Sequence, residues 1–529
     1  MFKTYKILSL ALSALIALSA TSACGGGSVQ TEQNSPSASS ASSAVEASTA
    51  VAETVKSKLG EIEIMADVNV DVEGGTLNEN KYLDYIEEQT GVRIKVQSPG
   101  SSSYTDKVNI VMASGDAPDA VMIGSSNMIN QLARNGVLTN VEPYVTDSGK
   151  YPLLASRMPE AAYHPVSNND SIWGVPYARF DAFTQVTFVR KDWMAKLDLQ
   201  PPATLDDLYA IMKAFTEEDP DGNGIDDTYG LLGGGFNPVL YYGGALFRAI
   251  FDCNTYQVIE GEVLPWQINP NYKEYLKYMR KLADEEIMDS DILNSTTQVM
   301  MDKLATHKYG LLTNFWHANQ FPGYDTWTIG DEWTTIDIPK NIKGEPGRFS
   351  YETLSRHYAV IPSTSKKIDL TMTVFDWVCS DEGVKYVNLG VPGSDYIIDE
   401  EGKPQLGTTT KFSINWIFTL MNPGIKNEDT ESYLALTYPQ SSIDWLNHAA
   451  EQGKLDPIAV NLPYNPDLIQ ANIDKVVEEY TSQAILGNID IDATWDKYIS
   501  DYMSAGGRQA VDFNTQWYNS GGKEIVGNS

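Results

Sequence analysis

Cysteine is almost missing from this 529-residue chain, which carries only Cys24, Cys253 and Cys379. So few thiols exclude a disulfide framework, and no Cys/His spacing of a zinc site occurs. The five histidines are scattered. Basic residues are scarce too: 38 Lys and Arg face 70 Asp and Glu, a formal net charge of −32. That balance argues against binding nucleic acid or anionic lipid through a broad basic face. After the N-terminal segment no apolar run is long enough to span a bilayer. Catalytic signatures are missing as well. There is no G-x-S-x-G elbow, no H-E-x-x-H, no G-x-x-x-x-G-K-[ST] phosphate loop and no dinucleotide-binding glycine fingerprint after the first strand. Seventy carboxylates supply endless glycosidase-like pairs, so their abundance says nothing about chemistry.

What is present begins with an address. Lys3 and Lys6 precede an apolar stretch from Ile7 to Ala20, and small residues lead to Cys24. This is a secretory signal over residues 1–23. A cysteine directly after the small residues resembles a bacterial lipobox, with Cys24 lipidated, although Thr21 stands where the motif usually has Leu. Residues 24–58 are mostly Gly, Ser, Ala, Thr, Val and Glu without an aromatic, a composition that cannot offset chain entropy and reads as a flexible tether. The remaining body is too large for one core, so two lobes are expected. Export permits a Cys253–Cys379 disulfide, but sequence does not show that the two meet.

Along the body, Glu61–Met65, Val92–Val96 and Ala120–Ile123 read as strands separated by helical patterns, the first with Tyr82, Leu83, Tyr85 and Ile86 on one face. That alternation is the signature of α/β architecture with a mostly parallel sheet, whose ligands gather at the carboxyl ends of strands. Val186–Arg190 is a further strand. Thr204 and Asp207 make a capping box for a helix with Leu205, Leu208, Ile211, Met212 and Phe215 inward. The segment Tyr309–Thr313 is strand-like and ends in Asn314-Phe315-Trp316.

Directly after the capped helix comes Asp219-Pro220-Asp221-Gly222-Asn223-Gly224-Ile225-Asp226-Asp227. Oxygen side chains at positions 1, 3, 5 and 9 with glycine at 6 form the pattern by which a short loop wraps a hard cation. The expected calcium donors are Asp219, Asp221, Asn223, the Ile225 carbonyl and Asp227, with Thr228 following. Position 12 is Gly230 and not the closing Glu of a sensor loop, so the predicted role is a structural clasp.

Several segments in order resemble the extracellular solute-binding protein family 1, lipoprotein components of ABC-type sugar importers. They are the signal with Cys24, Ala113-Ser114-Gly115-Asp116-Ala117-Pro118-Asp119, Trp173-Gly174-Val175-Pro176-Tyr177, Val189-Arg190-Lys191-Asp192-Trp193, the Pro201 helix start, the Asp219 loop and Gly310–Trp316. The resemblance implies a two-lobe, type II periplasmic-binding-protein-like fold with a hinge and a ligand held between the lobes. It places residues 59–181 plus about 341–392 in the N-terminal lobe, and 182–340 plus about 393–529 in the C-terminal lobe with its loop at 219–228. It implies a monomer on the outer face of the membrane, partnered by permease subunits. A sugar needs stacked aromatics and planar hydrogen-bonding groups. The expected ligand set is Trp316, Trp173, Tyr177, Arg179, Asp181, Asn69, Ser125, Phe236 and Tyr396. Two other readings stay open: a secreted carbohydrate-active enzyme, and a peptide-binding lipoprotein on the same scaffold.

Overall fold

The computed structural model describes residues 58–67, 75–99, 104–146, 149–168, 171–178, 183–232, 244–289, 297–317, 330, 332–407, 428–465 and 467–527. Nine strands build two sheets: β1 (Gly60–Met65), β2 (Val92–Gln97), β3 (Ala120–Ile123), β4 (Val175–Ala178), β5 (Gln185–Arg190), β6 (Tyr229–Leu231), β7 (Tyr309–Phe315), β8 (Trp333–Ile336) and β9 (Ser355–Val360). The first sheet has the order β2-β1-β3-β9-β4, the second β8-β5-β7-β6. In the first, β1 is parallel to β2 and β3, and only β9 runs against its neighbours. In the second, only β5 is reversed. The sheets are therefore mostly parallel, as expected. Each reversed strand is the one the chain enters on passing from the other sheet.

Local sequence explains the elements. In helix α1 (Lys81–Thr90) the Asn80 side chain caps the amides of Tyr82 and Leu83, and Gly91 ends the helix at φ 75°, a left-handed conformation that favours glycine. Ile62 and Ile64 of β1 and Ile94 of β2 bury one face under α1 and helices α6 (Ile368–Val378) and α7 (Asp381–Leu389). Met65, Val121 and Ile123 bury the other face under α2 (Tyr104–Ser114) and α3 (Ser126–Arg134). Each such side chain taken from water contributes about 1.5–3 kcal/mol.

The second sheet is built the same way. Val189, Leu231 and Leu311 face helices α4 (Leu205–Glu217) and α5 (Pro270–Asp284). Phe188, Leu312 and Trp316 face Trp445 and Ala449 of helix α8 (Gln440–Gln452). Thr204 and Asp207 form the expected capping box on α4. Gly310 lets that helix approach: a Cβ there would lie 2.1 Å from Phe215 Cδ2. Helix α9 (Gln470–Ile485) packs on α5, with the Tyr272 and Thr481 hydroxyls 2.7 Å apart.

Cys253 and Cys379 are free thiols buried in different cores, so no disulfide joins them. Among the described residues no helix is long and apolar enough to cross a membrane. Cys24 lies outside the described residues.

Candidate functional site

The passages between the two sheets meet at Tyr351. The first passage leaves β4 and enters β5, and the backbone amides of Thr184 and Gln185 donate to the Tyr351 hydroxyl at 3.0 and 2.9 Å. The Phe183 ring meets the Tyr351 ring edge-on at 5.3 Å. Tyr351 itself lies in the second passage, between β8 and β9, where Phe349–Tyr351 pairs in parallel with Gly453–Leu455. The Asp456 amide then donates to the Tyr351 carbonyl at 2.9 Å. Beyond it the chain touches the first lobe, where His164 Nδ1 lies 2.7 Å from the Val460 carbonyl. Three chain segments far apart in sequence are thus tied at one point, the geometry of a hinge.

An acidic group sits at this junction. The Asp456 carboxylate is fully buried and accepts from the amides of Tyr256, Ile458 and Ala459. Burial pushes its pKa up, and those amides oppose the shift. Next to Tyr351, the Glu352 carboxyl meets the Trp266 indole and feels the charge of Asp456. Desolvation first, then the charge of Asp456, pushes its pKa up to about 7. The Trp266 indole donates to it, and the Arg248 guanidinium lies 4.2 Å from the Trp266 ring. Burial also raises the pKa of Asp474 and lifts the phenol of Tyr256 well above its usual value. Nothing in the sequence singled out Tyr351, Glu352 or Asp456.

Five of the nine expected ligand residues lie among the described residues. Trp316 directly follows β7 and is only 2% exposed, its ring edge-on to Tyr438 at 4.8 Å. Tyr177 is buried in the first lobe, edge-on to His357. Trp173 is half-buried above α3, and Ser125 is exposed and accepts from the Met128 amide as the cap of that helix. Tyr396 is buried against Leu389 and Tyr433, and burial pushes its phenol up to about 12. Its neighbour Asp395 accepts from Lys81 Nζ at 2.5 Å and from the Tyr82 hydroxyl, which holds residues 391–398 on the first lobe. Asn69, Arg179, Asp181 and Phe236 lie outside the described residues.

The acidic loop follows α4. Asp219 (φ 47°) accepts from the amides of Gly222, Asn223 and Gly224. Those amides hold its pKa below the usual carboxylate value against desolvation. The Asn223 Oδ1 accepts from the Ile225 amide at 2.6 Å, and its Nδ2 donates to Asp221 at 2.8 Å and Asp227 at 3.2 Å. Lys196 Nζ donates to the carbonyls of Asp219 and Pro220 at 2.9 and 3.0 Å. Gly222 sits at φ 79°, and a Cβ there would lie 2.7 Å from that ammonium. Lys308 pairs with Asp227 at 2.7 Å.

Thr228 departs from expectation. It is buried, and its hydroxyl donates to the Phe215 carbonyl, because the chain here is already turning into β6. Thr228 therefore anchors the loop and does not line it. Among the described residues no group of three or more His, Cys, Asp and Glu side chains is clustered as a metal cage. The Asn223 amide N–H group instead bridges Asp221 and Asp227, so the loop as folded is closed by its own hydrogen bonds.

Known proteins fit this architecture. The family model for the bacterial extracellular solute-binding protein matches residues 72–385, more than half of the chain. The lipoprotein LipO of Bacillus subtilis is 30% identical over 331 residues, spanning 59% of this chain and 63% of LipO. The match thus falls short of two thirds of that relative's length. In structure, the substrate-binding protein FusA of Streptococcus pneumoniae, solved with kestose, superposes with a TM-score of 0.62 at 20% identity, covering 87% of this chain and 99% of FusA. FusA has also been solved as an EF-hand mutant with fructo-nystose. A solute-binding protein from Bifidobacterium longum infantis, described as binding HMO, gives a TM-score of 0.67 at 17% identity, covering 87% of this chain and 98% of that one. At such identities the likeness shows the fold, a two-lobe solute-binding architecture. With two mostly parallel sheets joined through the Tyr351 junction and the family match across its body, the chain belongs to the bacterial extracellular solute-binding protein family.

Proposed function

We propose that this chain is a membrane-anchored extracellular receptor that captures a carbohydrate, an oligosaccharide in particular, between its two lobes and presents it to the permease of an ABC importer. The observation that carries this reading is the junction at Tyr351, where passages between two separately cored sheets meet at one corner. Such a joint lets two rigid lobes close on a ligand without breaking either core. Relatives of this architecture include FusA in complex with kestose and a protein described as binding HMO. The protein acts by binding and release, as a monomer, without turnover.

In this reading Cys24 carries the lipid and residues 25–58 form the tether that reaches from the outer face of the membrane. Of the proposed ligand set, Trp173 and Ser125 reach the surface among the described residues, whereas Trp316, Tyr177 and Tyr396 are buried. Arg179, Asp181, Asn69 and Phe236 complete the set. Calcium is held by Asp219, Asp221, Asn223, the Ile225 carbonyl and Asp227. It supplies charge neutralisation to a loop rich in carboxylates and serves stability, not capture.

The test is a thermal-shift screen of neutral and acidic oligosaccharides and of peptides, followed by small-angle scattering with any stabilising compound. An oligosaccharide should raise the melting temperature and reduce the radius of gyration. Stabilisation by peptides alone, or release of products from a glycan, would sink the receptor reading.

A further inference from the structure

We propose that Asn135–Gly136 is the site at which this chain deamidates spontaneously, and that the acidic loop shields its other Asn-Gly pair, Asn223–Gly224, from the same reaction. The sequence holds only these two Asn-Gly pairs. The reaction is intramolecular. Once the glycine amide has given its proton to water, its nitrogen attacks the asparagine Cγ. The Cγ–Nδ2 bond breaks, and the side-chain amide leaves as ammonia with a proton from water. Water then opens the resulting succinimide at either carbonyl, to aspartate or to isoaspartate. Water is consumed and ammonia released, with no oxidant or enzyme.

All four residues are exposed, so access to water does not separate the two pairs. Neither glycine is crowded, since a Cβ at Gly136 or Gly224 would meet open space. Hydrogen bonds and charge separate them. Asn135 closes α3, and the Gly136 amide donates to the Ala133 carbonyl at 2.9 Å. No hydrogen bond holds the Asn135 side chain among the described residues. The residue before it is Arg134, a cation, which favours the amide anion that starts the reaction.

Asn223 is held at every atom the reaction must move. Its Oδ1 accepts from the Ile225 amide at 2.6 Å, and its Nδ2, the departing group, donates to Asp221 at 2.8 Å and Asp227 at 3.2 Å. The attacking nitrogen of Gly224 donates to Asp219 Oδ2 at 3.1 Å. Those carboxylates also oppose a new negative charge on that nitrogen. Breaking two or three such bonds before reaction slows it about tenfold. At Asn135 the product has a structural consequence. Just beyond it the Val137 carbonyl accepts from the Ser363 amide at 2.9 Å, and the Thr139 amide donates to the Ile361 carbonyl at 2.8 Å. Isoaspartate lengthens the backbone at that exit, and either product sets a carboxylate at the C-terminus of α3, where the helix dipole disfavours it.

The experiment incubates the full chain in chelator at mildly alkaline pH, folded or in urea. Peptides carrying the two pairs are followed by mass spectrometry, with isoaspartate read by its methyltransferase. In the folded chain the Asn135 peptide should convert about tenfold faster than the Asn223 peptide, and in urea the two rates should converge. Asn135→Gln should stop conversion at that site and keep its melting temperature on ageing, while that of the parent falls. Asp219→Ala frees the Gly224 amide and should speed conversion at Asn223 without changing that at Asn135. Equal or faster conversion at Asn223 in the folded parent overturns the shielding. No conversion at Asn135 in the folded chain, over a period in which the unfolded chain converts fully, overturns the site. A difference that persists unchanged in urea overturns the structural argument, since sequence alone would then explain it.

Discussion

The amide of Thr184 donates to the hydroxyl of Tyr351 at 3.0 Å, joining two passages between the lobes that lie 167 residues apart in the chain. The Gln185 amide shares the same acceptor at 2.9 Å. One oxygen thus satisfies two backbone donors at the hinge, and Thr184 is buried. Tyr351→Phe keeps the ring against Phe183 and removes that acceptor. Stranding buried donors costs about 1–3 kcal/mol. Urea denaturation should show a loss of that size with an unchanged slope. A loss under about half a kcal/mol would mean that water replaces the hydroxyl freely.

Glu352 gives the fold a pH dependence whose sign can be worked out. Its pKa rises from an ordinary 4.5 to about 7 in the folded protein, because desolvation and then Asp456 disfavour its charge. Asp474 adds to that repulsion, and Arg248 and the Trp266 indole oppose it. The folded state therefore holds more protons than the unfolded state between these values. The stability this group contributes is complete below about pH 4.5 and lost as pH rises through about 7. Glu352→Gln stays neutral throughout. The variant should melt above the parent at pH 8, and the difference should shrink towards pH 4.5. A constant difference across that range would show that Glu352 is freely solvated.

Gly310 marks where α4 and the sheet come closest. A methyl group there would sit 2.1 Å from the Phe215 ring, itself fully buried. Gly310→Ala should cost about 1–3 kcal/mol through overpacking, measured by thermal or chemical denaturation. Phe215→Leu in the same chain should recover part of that loss, a coupling a double-mutant cycle would read directly. Additive losses would place the strain elsewhere.

These residues also mark how far the sequence could be read. The alternation Val92–Val96 and the Thr204–Asp207 box act within a few residues, so local physics dictated them and the structure carries each one. The family segments carried the lobe architecture because their order survives where single motifs are weak. The Tyr351 junction was not legible, since its partners at 184 and 456 are brought together only by the finished fold. Trp316 is an aromatic at a strand end, a position that suggests ligand contact. It is buried because Tyr438, more than a hundred residues away, covers it. Thr228 continues the acidic loop in sequence, but the following strand turns its side chain inward.

The acidic loop supplies the remaining prediction, and it separates clasp from trigger. Asp221 accepts from the Asn223 amide and side chain, so it helps to shape the loop even without metal. Asp221→Ala removes both that contact and a cation donor. A ligand that binds only the folded state at a hundred times its dissociation constant stabilises it by about 2.7 kcal/mol. The parent should therefore melt at a higher temperature in calcium than after chelation, and Asp221→Ala should lose that difference. Its melting temperature without calcium should fall by a smaller amount. Oligosaccharide affinity, measured by calorimetry well below the melting range, should stay within a factor of about two of the parent, since less than half a kcal/mol separates them on that scale. If affinity collapsed while the melting temperature held, the loop would be part of the capture mechanism and not a clasp on the second lobe.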